Sequence, residues 1–243
     1  MATPRKLRCT VSEVRDHGDR VYSLRLRPER PLPSFSAGQF LHLAIDPYDP
    51  SAFWPDSRAF SIASGPARRD ALELVYSVVG RFTGRMEKEL RPGREVWVKL
   101  PYGEFVIAAQ PRAEVALLAG GTGVSAFTAF LQDYAAGQAD DGSLLHVFYG
   151  ARHPRLLLFR DELTLWARSR ASLRPRFFAE TGAEGDSGVE TGRLSIETVW
   201  SALRAPAAAT YYLSGPPAMI QSFSSQLAGR GMPRERVRVD AWE

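Results

Sequence analysis

The periodicity of the apolar residues changes near Gln110. Before that residue, apolar and polar side chains alternate over short runs that end in Pro- or Gly-containing turns, a pattern typical of antiparallel strands. After it, apolar runs of strand length alternate with helical segments, which predicts a parallel sheet covered on both faces. We therefore predict two domains, residues 1–110 and residues 111–243.

Four alternating runs define the first domain. They are Tyr22–Arg27, Leu41–Ile45, Leu72–Tyr76 and Val96–Leu100. Such a series predicts an antiparallel β-barrel or sandwich. One short helix is predicted over Gly84–Leu90, where apolar residues take helical spacing ahead of an Arg-Pro-Gly turn.

The second domain alternates predicted strands with predicted helices. The strands are Val115–Ala119, Leu144–Tyr149, Phe177–Ala179, Tyr211–Leu213 and Val237–Val239. The helices are Val124–Tyr134, Leu156–Arg168, Ser195–Leu203 and Ala218–Gly229. The stretch Thr181–Gly192 is rich in Gly and acidic residues and is predicted to be a solvated loop.

The chain has one cysteine, Cys9, among 243 residues. A single thiol excludes an intrachain disulfide, a cysteine-ligated iron–sulfur cluster and a cysteine zinc site, so any redox centre must be a bound cofactor. It also favours a reducing, cytoplasmic location. No apolar stretch approaches the roughly 20 residues that a membrane-spanning helix needs. We therefore expect no membrane insertion.

The formal net charge of +4 narrows the possible partners. Arginines are spread along the chain and form no basic helix interleaved with aromatic residues, so we expect no nucleic acid partner. An anionic nucleotide or an acidic electron-transfer protein fits the charge better. The histidines lack paired metal spacing and no Gly-x-Ser-x-Gly elbow is present, so neither a metal site nor a hydrolase is expected.

A glycine cluster lies after the first predicted strand of the second domain. Gly121-x-Gly123-x-x-Ala126 comes directly after that strand and opens a helix, which is the context that a dinucleotide-binding fingerprint requires. Glycines let the backbone approach a pyrophosphate, and the helix start offers free N–H groups. The alternative is a tight strand-to-helix turn that binds no ligand.

The choice between NADH and NADPH depends on the residues after the next strand, Leu144–Tyr149. Asp140 and Asp141 precede that strand, so we interpret them as loop residues. Arg152 and Arg155 come after it, with Arg160 further on, and arginines at this end favour a 2′-phosphate and hence NADPH. The alternative is that these arginines form a solvated face.

Five ordered motifs carry a resemblance to a known family. They are Arg58-Ala-Phe60-Ser61, Gly80-Arg-Phe-Thr83, Pro101-Tyr-Gly103-Glu-Phe105, Gly120-Gly-Thr-Gly123 and Ser214-Gly-Pro-Pro217-Ala-Met219. In this order they resemble the ferredoxin–NADP reductase superfamily, and the resemblance extends over nearly the whole chain. It implies an N-terminal FAD-binding β-barrel, residues 1–110, and a C-terminal NAD(P)-binding α/β domain with a parallel sheet, residues 111–243.

The resemblance also assigns roles to single residues. Arg58 would pair with the FAD pyrophosphate, Phe60 would pack on the flavin, and Ser61 would hydrogen-bond near flavin N5. The residues that it implies as cofactor contacts are Arg58, Ala59, Phe60, Ser61, Ser77, Gly80, Phe82, Thr83, Gly120, Gly121, Thr122, Gly123, Arg152, Arg155, Gly215, Pro216, Met219 and Trp242. The implied catalytic residues are Ser61, Ser214, Asp240 and Trp242.

This sequence departs from the family pattern at three positions. Phe60 stands in place of the usual tyrosine, Ala126 in place of a frequent proline, and Ser214 where many relatives carry a cysteine beside the nicotinamide. The Asp240-Ala-Trp242-Glu243 terminus resembles that of plant-type members, in which an aromatic ring covers the flavin face. By that resemblance Trp242 shields the flavin and Asp240 lies near the proton path. The alternative is a frayed end whose indole fills a surface groove.

The resemblance implies an NAD(P)H-dependent FAD flavoprotein reductase. Electrons would pass from the nicotinamide through FAD to an external carrier such as ferredoxin or flavodoxin. The enzymatic alternative is a flavin, small-molecule or cytochrome reductase component of an oxygenase system. The non-enzymatic alternative is a nucleotide-sensing or structural electron-transfer subunit.

Overall fold

The computed structural model describes residues 3–107, 113–137 and 142–240. The chain divides into two compact units, Met1–Val106 and Ile107–Glu243. Gln110, where the sequence predicts the domain boundary, lies outside the described residues.

The first unit is an antiparallel sheet that curls into a barrel. Its strands are β1 (Arg5–Asp16), β2 (Val21–Pro28), β3 (Phe40–Ala44), β4 (Ser57–Ser61), β5 (Leu72–Ser77) and β6 (Glu95–Tyr102), and its helix is α1 (Arg81–Glu89). The strand order is β4-β3-β6-β1-β2-β5. Just beyond β4, the Ala63 N–H donates to the Glu73 carbonyl at 2.8 Å, which brings the two edge strands together. The barrel prediction is confirmed.

The apolar side chains that alternate along the strands fill the barrel core. Leu24 on β2 pairs with Leu74 on β5, and both side chains are fully buried. Leu41 and Leu43 on β3 are buried in the same way. Because side chains in a strand point alternately to opposite faces, this pattern leaves the polar residues between them on the outside.

Three parts of the barrel differ from the sequence prediction, and the first is strand β4 (Ser57–Ser61), which none of the four alternating runs predicted. Strand β1 was not predicted, although Leu7, Cys9 and Val11 alternate inward and are each 1% exposed. Helix α1 begins three residues earlier than predicted, because the Thr83 hydroxyl accepts the backbone N–H groups of Val79 and Gly80 and so fixes the helix start. The spacing of apolar residues does not reveal a cap of this kind, because the cap is a polar contact.

Cys9 is a core residue of the barrel. Burial, together with the charge of Glu29, raises the pKa of its thiol to about 12. A thiol that stays protonated is neither a nucleophile nor a metal ligand. The side chain therefore acts as a small apolar group.

The second unit contains a parallel sheet with helices. Its strands are β7 (Glu114–Gly120), β8 (Leu144–Ala151), β9 (Leu173–Ala179), β10 (Glu190–Thr191), β11 (Thr210–Ser214) and β12 (Val237–Val239). Its helices are α2 (Ser125–Ala135), α3 (Arg160–Ser169), α4 (Ile196–Ala202) and α5 (Pro217–Gly229). Every strand pair is parallel, which confirms the predicted α/β class.

The strand order β10-β9-β8-β7-β11-β12 defines where a ligand can bind. From β7 the chain first builds outward through β8 and β9, and later returns to add β11 and β12 on the other side of β7. The order therefore reverses between β7 and β11. In open α/β sheets, ligands bind outside the carboxyl ends of the strands at such a switch point.

The segment Thr181–Gly192 is not wholly the solvated loop that its composition predicts. It contains strand β10, which pairs with β9, and it buries Ala183 and Val189. These two apolar residues are hidden in a Gly- and acid-rich stretch. Helix α3 likewise starts at Arg160 rather than Leu156, because Leu156 lies in a short 3₁₀ turn.

No helix in the described part of the chain is long and apolar enough to cross a membrane.

A buried polar pair braces the amino edge of the parallel sheet. His146 Nε2 lies 3.1 Å from Glu114 Oε1, and the Glu114 carboxylate also accepts the backbone N–H groups of Arg204 and Ala205. Burial acts to raise the pKa of Glu114, but these hydrogen bonds outweigh it and the pKa falls below 4.5. Burial lowers the pKa of His146 below 6.5, and Glu114 only partly offsets this.

We expect the pair to make stability dependent on pH. Because the folded-state pKa of His146 is lowered, its contribution is complete above pH 6.5 and is lost as the pH falls and the unfolded chain takes up the proton first. The free energy of unfolding should therefore decrease between pH 7 and pH 5 more in the wild type than in His146→Gln, measured by urea denaturation. The other histidines are common to both proteins and cancel. Equal slopes in the two proteins would contradict this account.

Candidate functional site

In the barrel unit, Arg58 lies against the first turn of α1. Its guanidinium carbon is 5.2 Å from the centre of the Phe82 ring, and Phe82 is the second residue of that helix. Nη1 donates to the Asp56 carboxylate at 2.7 Å and to the Ser57 carbonyl at 2.7 Å. Among the described residues, Nε and Nη2 have no hydrogen-bond partner, and the Arg58 side chain is 53% exposed, so two donors remain available to a ligand.

The start of α1 adds further donors at the same place. The first N–H groups of a helix have no partner within it, and they carry the positive end of the helix dipole. Gly80, the residue before the helix, is exposed and has open space where a side chain would stand. Thr83 is buried, and its hydroxyl is occupied in shaping this loop rather than turned to solvent.

The predicted site residues on β4 lie on two opposite faces of the sheet. Phe60 and Arg58 pair with Leu41 and Leu43, so they share the inward face of the sheet edge. Ala59 and Ser61 pair with His42 and Phe40 and lie on the outward face. Phe60 is half-buried, with its ring centre 6.3 Å from that of Tyr76. Ser77 ends β5 opposite Val21 and is half-buried.

These donors suit a diphosphate. A guanidinium edge with two parallel N–H groups matches two phosphate oxygens, and charge-assisted contacts of this type are the stronger hydrogen bonds. The helix start supplies backbone N–H groups to the same anion. The barrel therefore fits the pyrophosphate of FAD at Arg58 and α1.

In the α/β unit, the glycine loop packs directly on the segment after β11. A Cβ on Gly123 would lie 2.5 Å from the Gly215 nitrogen and 2.5 Å from the Ser214 carbonyl carbon. A Cβ on Gly120 would lie 2.6 Å from Met219 Sδ. Only glycine permits this approach at Gly123, because an added Cβ would clash with backbone atoms of Ser214 and Gly215, which cannot move aside as a flexible side chain could.

The loop and this segment meet where the strand order reverses. Ala119 pairs with Ser214 across β7 and β11, and Gly120 ends β7 directly after that pair. Gly121 and Thr122 form a short 3₁₀ turn that leads into α2. Pro216 is exposed and precedes α5. The structure thus brings together Gly120, Gly123, Ser214, Gly215, Pro216 and Met219 at the carboxyl edge of the sheet.

Ser214 is held by a second buried polar residue. Its hydroxyl donates to Asp240 Oδ2 at 2.9 Å, and the Asp240 backbone N–H donates to the Leu213 carbonyl at 2.9 Å. Ser214 is 3% exposed and Asp240 is 5% exposed. Because the hydroxyl proton points to Asp240, the Ser214 oxygen can only accept from any further partner.

The arginines after β8 have different surroundings. Arg152 and Arg155 lie beyond the carboxyl end of this strand, and both are exposed. Arg160 instead makes a bidentate pair with Asp186, at 2.5 and 2.7 Å, and lies over the Phe177 ring. Arg160 therefore holds the loop after β9 through Asp186. The structure gives no support to the hypothesis that Arg160 binds the 2′-phosphate of NADPH.

Sequence reasoning missed two groups beside these sites. Asp56, which orients Arg58, is an ordinary loop aspartate in the sequence and only the 2.7 Å contact identifies it. Thr181 Oγ1 lies 2.9 Å from His153 Nδ1 and so connects the segments that follow β8 and β9. The apolar periodicity of the sequence does not reveal this contact.

Trp242 lies outside the described residues, as do Asp140 and Asp141. Within the described residues, no three potential ligands cluster to hold a metal ion.

Comparison with known proteins agrees with this geometry. Residues 117–225 match the family model described as the oxidoreductase NAD-binding domain. The reductase component DmpP of phenol 2-monooxygenase from Pseudomonas sp. strain CF600 is 33% identical over 158 residues, which cover 64% of this chain and 42% of that protein. The reductase component of propane 2-monooxygenase from Mycolicibacterium smegmatis is 26% identical over 245 residues, or 97% of this chain and 67% of the relative.

A solved structure shares the whole fold. The Amycolatopsis cytochrome P450 reductase GcoB superposes with a TM-score of 0.81 at 22% identity, over 98% of this chain and 69% of that one. The chain therefore has the two-domain fold of this reductase, and its residues 117–225 match an oxidoreductase NAD-binding domain. Its fold is that of the ferredoxin–NADP reductase-like proteins. It spans 42% of the phenol monooxygenase relative, about two fifths of that protein.

We expect Gly123→Ala to destabilise the protein by about 1–3 kcal/mol, the usual cost of overpacking a tight contact. The new methyl group would meet backbone atoms of Ser214 and Gly215 at 2.5 Å, so the carboxyl edge must open. Binding of NADP⁺ should weaken with it. Urea denaturation and calorimetric titration measure the two effects.

The matched control is Gly229→Ala at the end of α5, where nothing lies within 4 Å of the added Cβ. It should leave both quantities unchanged or raise stability slightly. If Gly123→Ala behaves like this control, the close approach does not constrain the loop.

Proposed function

We propose that this chain is an NAD(P)H-dependent reductase that binds FAD and passes electrons to a separate redox carrier. The observation that carries this proposal is the packing of the Gly120–Gly123 loop on Ser214–Met219 where the strand order reverses. That arrangement suits a dinucleotide, and the same chain has a diphosphate-binding geometry at Arg58. Residues 117–225 match an oxidoreductase NAD-binding domain, which supports the assignment of the first ligand.

FAD, when bound, supplies the exchange between two-electron and one-electron chemistry. The contribution of this chain is to bind and orient. Arg58 and the start of α1 neutralise the pyrophosphate, while Phe60 offers an apolar ring and Ser61 a hydroxyl on neighbouring positions of β4. A hydroxyl both donates and accepts, so Ser61 suits a ring nitrogen whose protonation changes with redox state.

Ser214 and Asp240 would act on the nicotinamide side. The Asp240 carboxylate accepts the Ser214 hydroxyl at 2.9 Å, at the position where the family resemblance implies a cysteine in many members. With its proton directed to Asp240, the Ser214 oxygen can accept a hydrogen bond from the carboxamide N–H₂ of nicotinamide. We infer that the pair orients the ring rather than transferring a proton to it.

The external acceptor is proposed from chemistry and from the relatives. Reductase components of phenol and propane monooxygenases are among the similar proteins, and this favours an oxygenase system as the setting. The carrier itself would be a ferredoxin or a flavodoxin, since both are acidic proteins that suit a chain of net charge +4. The cytoplasmic location and the role of Trp242 as a cover over the flavin stay predictions from the sequence.

The reductase function predicts a yellow protein whose flavin absorbance bleaches when NADPH is added without oxygen. Arg58→Ala should weaken FAD affinity by removing charge-assisted contacts worth about 1.5–3 kcal/mol, roughly 10- to 150-fold in Kd. Arg25→Ala is the control, because Arg25 is similarly exposed and pairs with Glu13 elsewhere on the barrel. A colourless protein that binds no flavin would refute the function. Full FAD affinity in Arg58→Ala would refute the site.

A preference for NADPH is a separate prediction. Arg152 is exposed just beyond the carboxyl end of β8, where a 2′-phosphate would lie. Arg152→Ala should lower kcat/KM for NADPH about tenfold or more and leave that for NADH nearly unchanged, because only the former carries the phosphate. Arg168→Ala, an exposed arginine on α3, is the matched control. A wild type that prefers NADH would contradict the prediction.

A further inference from the structure

Two consecutive residues of the β1–β2 hairpin have a left-handed backbone. The φ angle is 49° at Asp19 and 58° at Arg20, and in the described part of the chain Phe159 is the only other non-glycine residue with positive φ. The Val21 N–H donates to the Gly18 carbonyl at 3.0 Å, so Asp19 and Arg20 are the central residues of a type I′ turn. Glycine is the usual residue at the position of Arg20, because a side chain there is strained. A strained arginine at such a position points to a function for its side chain.

The residues before the turn brace it. Asp16 Oδ1 accepts the Gly18 N–H at 2.8 Å, and the His17 N–H donates to the Val21 carbonyl at 2.9 Å. These contacts, with the closing bond of the turn, fix the backbone on both sides of Arg20.

The backbone of Arg20 holds the connection between β5 and α1. Its carbonyl accepts the Val78 N–H at 3.0 Å, directly beyond the Val21–Ser77 pair of the β2–β5 ladder. The hairpin turn therefore fixes the chain two residues before Gly80, the residue that precedes α1.

The side chain of Arg20 holds the helix itself. Its Nε and Nη2 donate to the two carboxylate oxygens of Glu87 at 3.1 and 2.7 Å, and the Tyr22 hydroxyl donates to the same carboxylate at 3.1 Å. A bidentate pair of guanidinium and carboxylate fixes orientation as well as distance. Because Glu87 lies one helical turn after Thr83, the pair sets the position of α1 relative to the hairpin.

The start of α1 is the part of the helix that lies against Arg58. The Phe82 ring is 5.2 Å from the Arg58 guanidinium carbon, and the Thr83 hydroxyl accepts the Gly80 N–H at 3.2 Å. The first N–H groups of a helix bind an anion only when they point at it. A shift of α1 would therefore move these donors, and the ring on which Arg58 lies, away from the anion.

We propose that Arg20 is a positioning residue for the FAD pyrophosphate, because its backbone and its pair with Glu87 hold the start of α1 in place. The proposal rests on the proposed function, since it requires that the pyrophosphate bind at Arg58 and α1. Stability alone gives no reason for an arginine here. Exposed ion pairs contribute little to stability, and the left-handed backbone of Arg20 opposes that contribution.

The test measures FAD affinity and stability in the same variants. Arg20→Gly removes the pair with Glu87 and relieves the strain of the turn, so the melting temperature of the flavin-free chain should stay nearly unchanged. The Kd for FAD should nevertheless rise about fivefold, the lower end of typical coupling between two sites. Flavin fluorescence released on serial dilution of the FAD-loaded protein gives this Kd.

A charge exchange provides the rescue. Arg20→Glu places two carboxylates together and should weaken FAD binding at least as much as Arg20→Gly does. Arg20→Glu combined with Glu87→Arg should restore most of the lost affinity, because the pair forms again with its charges reversed. Arg25→Ala is the matched control, since Arg25 pairs with Glu13 across the same two strands, and it should leave the Kd for FAD unchanged.

Unchanged FAD affinity in Arg20→Gly, or an equal loss in Arg25→Ala, would overturn the inference. It would also be wrong if the affinity fell only together with the melting temperature and the charge exchange restored neither, because the role of Arg20 would then be structural. A wild type that binds no flavin would overturn the proposed function itself. Loss of FAD in Arg58→Ala with no effect of Arg20→Gly would overturn only this inference.

Discussion

The backbone contact between the ends of β7 and β11 governs the α/β unit. Gly123 lies so close to Ser214 and Gly215 that a methyl group would stand 2.5 Å from their backbone atoms. The contact occurs where the strand order reverses, so it brings the helix start of α2 and the segment before α5 to the same edge. Bare backbone at this edge lets N–H groups at a helix start approach a pyrophosphate closely. The Ser214–Asp240 pair forms at the same edge, since Asp240 comes directly after β12, the neighbour of β11.

In the barrel unit, a side chain provides the donors for a diphosphate. Arg58 lies on the edge strand β4, and Asp56, the Ser57 carbonyl and the Phe82 ring hold it in place. These contacts use one guanidinium nitrogen and one face of the group, and they leave the opposite edge to a ligand. Electrostatic attraction alone would not give this orientation, because an unrestrained arginine has about 2 kcal/mol of side-chain entropy to lose. Asp56 therefore holds the Arg58 guanidinium in position, although its negative charge offsets part of the positive charge there.

Regular elements with strong periodicity could be predicted from the sequence, and those set by single contacts could not. The β2, β5 and β6 strands, and four of the helices, match alternation or helical spacing closely enough to be located within a few residues. Strand β10 has two residues and no apolar run, so only its pairing with β9 reveals it. The first turn of α1 depends on the Thr83 hydroxyl, and Arg160 is bound by an aspartate 26 residues away. Such contacts depend on distances in space that no local pattern encodes.

The sequence by itself determined the two-part organisation, the parallel and antiparallel classes of the two sheets, and the kinds of residue that suit a diphosphate and a dinucleotide. Those conclusions come from periodicity and residue chemistry, which are local properties of the chain. Only the tertiary structure decided that Asp56 orients Arg58, that Ser214 donates to Asp240, and that Arg160 is occupied while Arg152 is exposed. The physical reason is that the availability of a charged or polar group depends on which partners surround it. Those partners come from distant parts of the sequence, and folding alone brings them together.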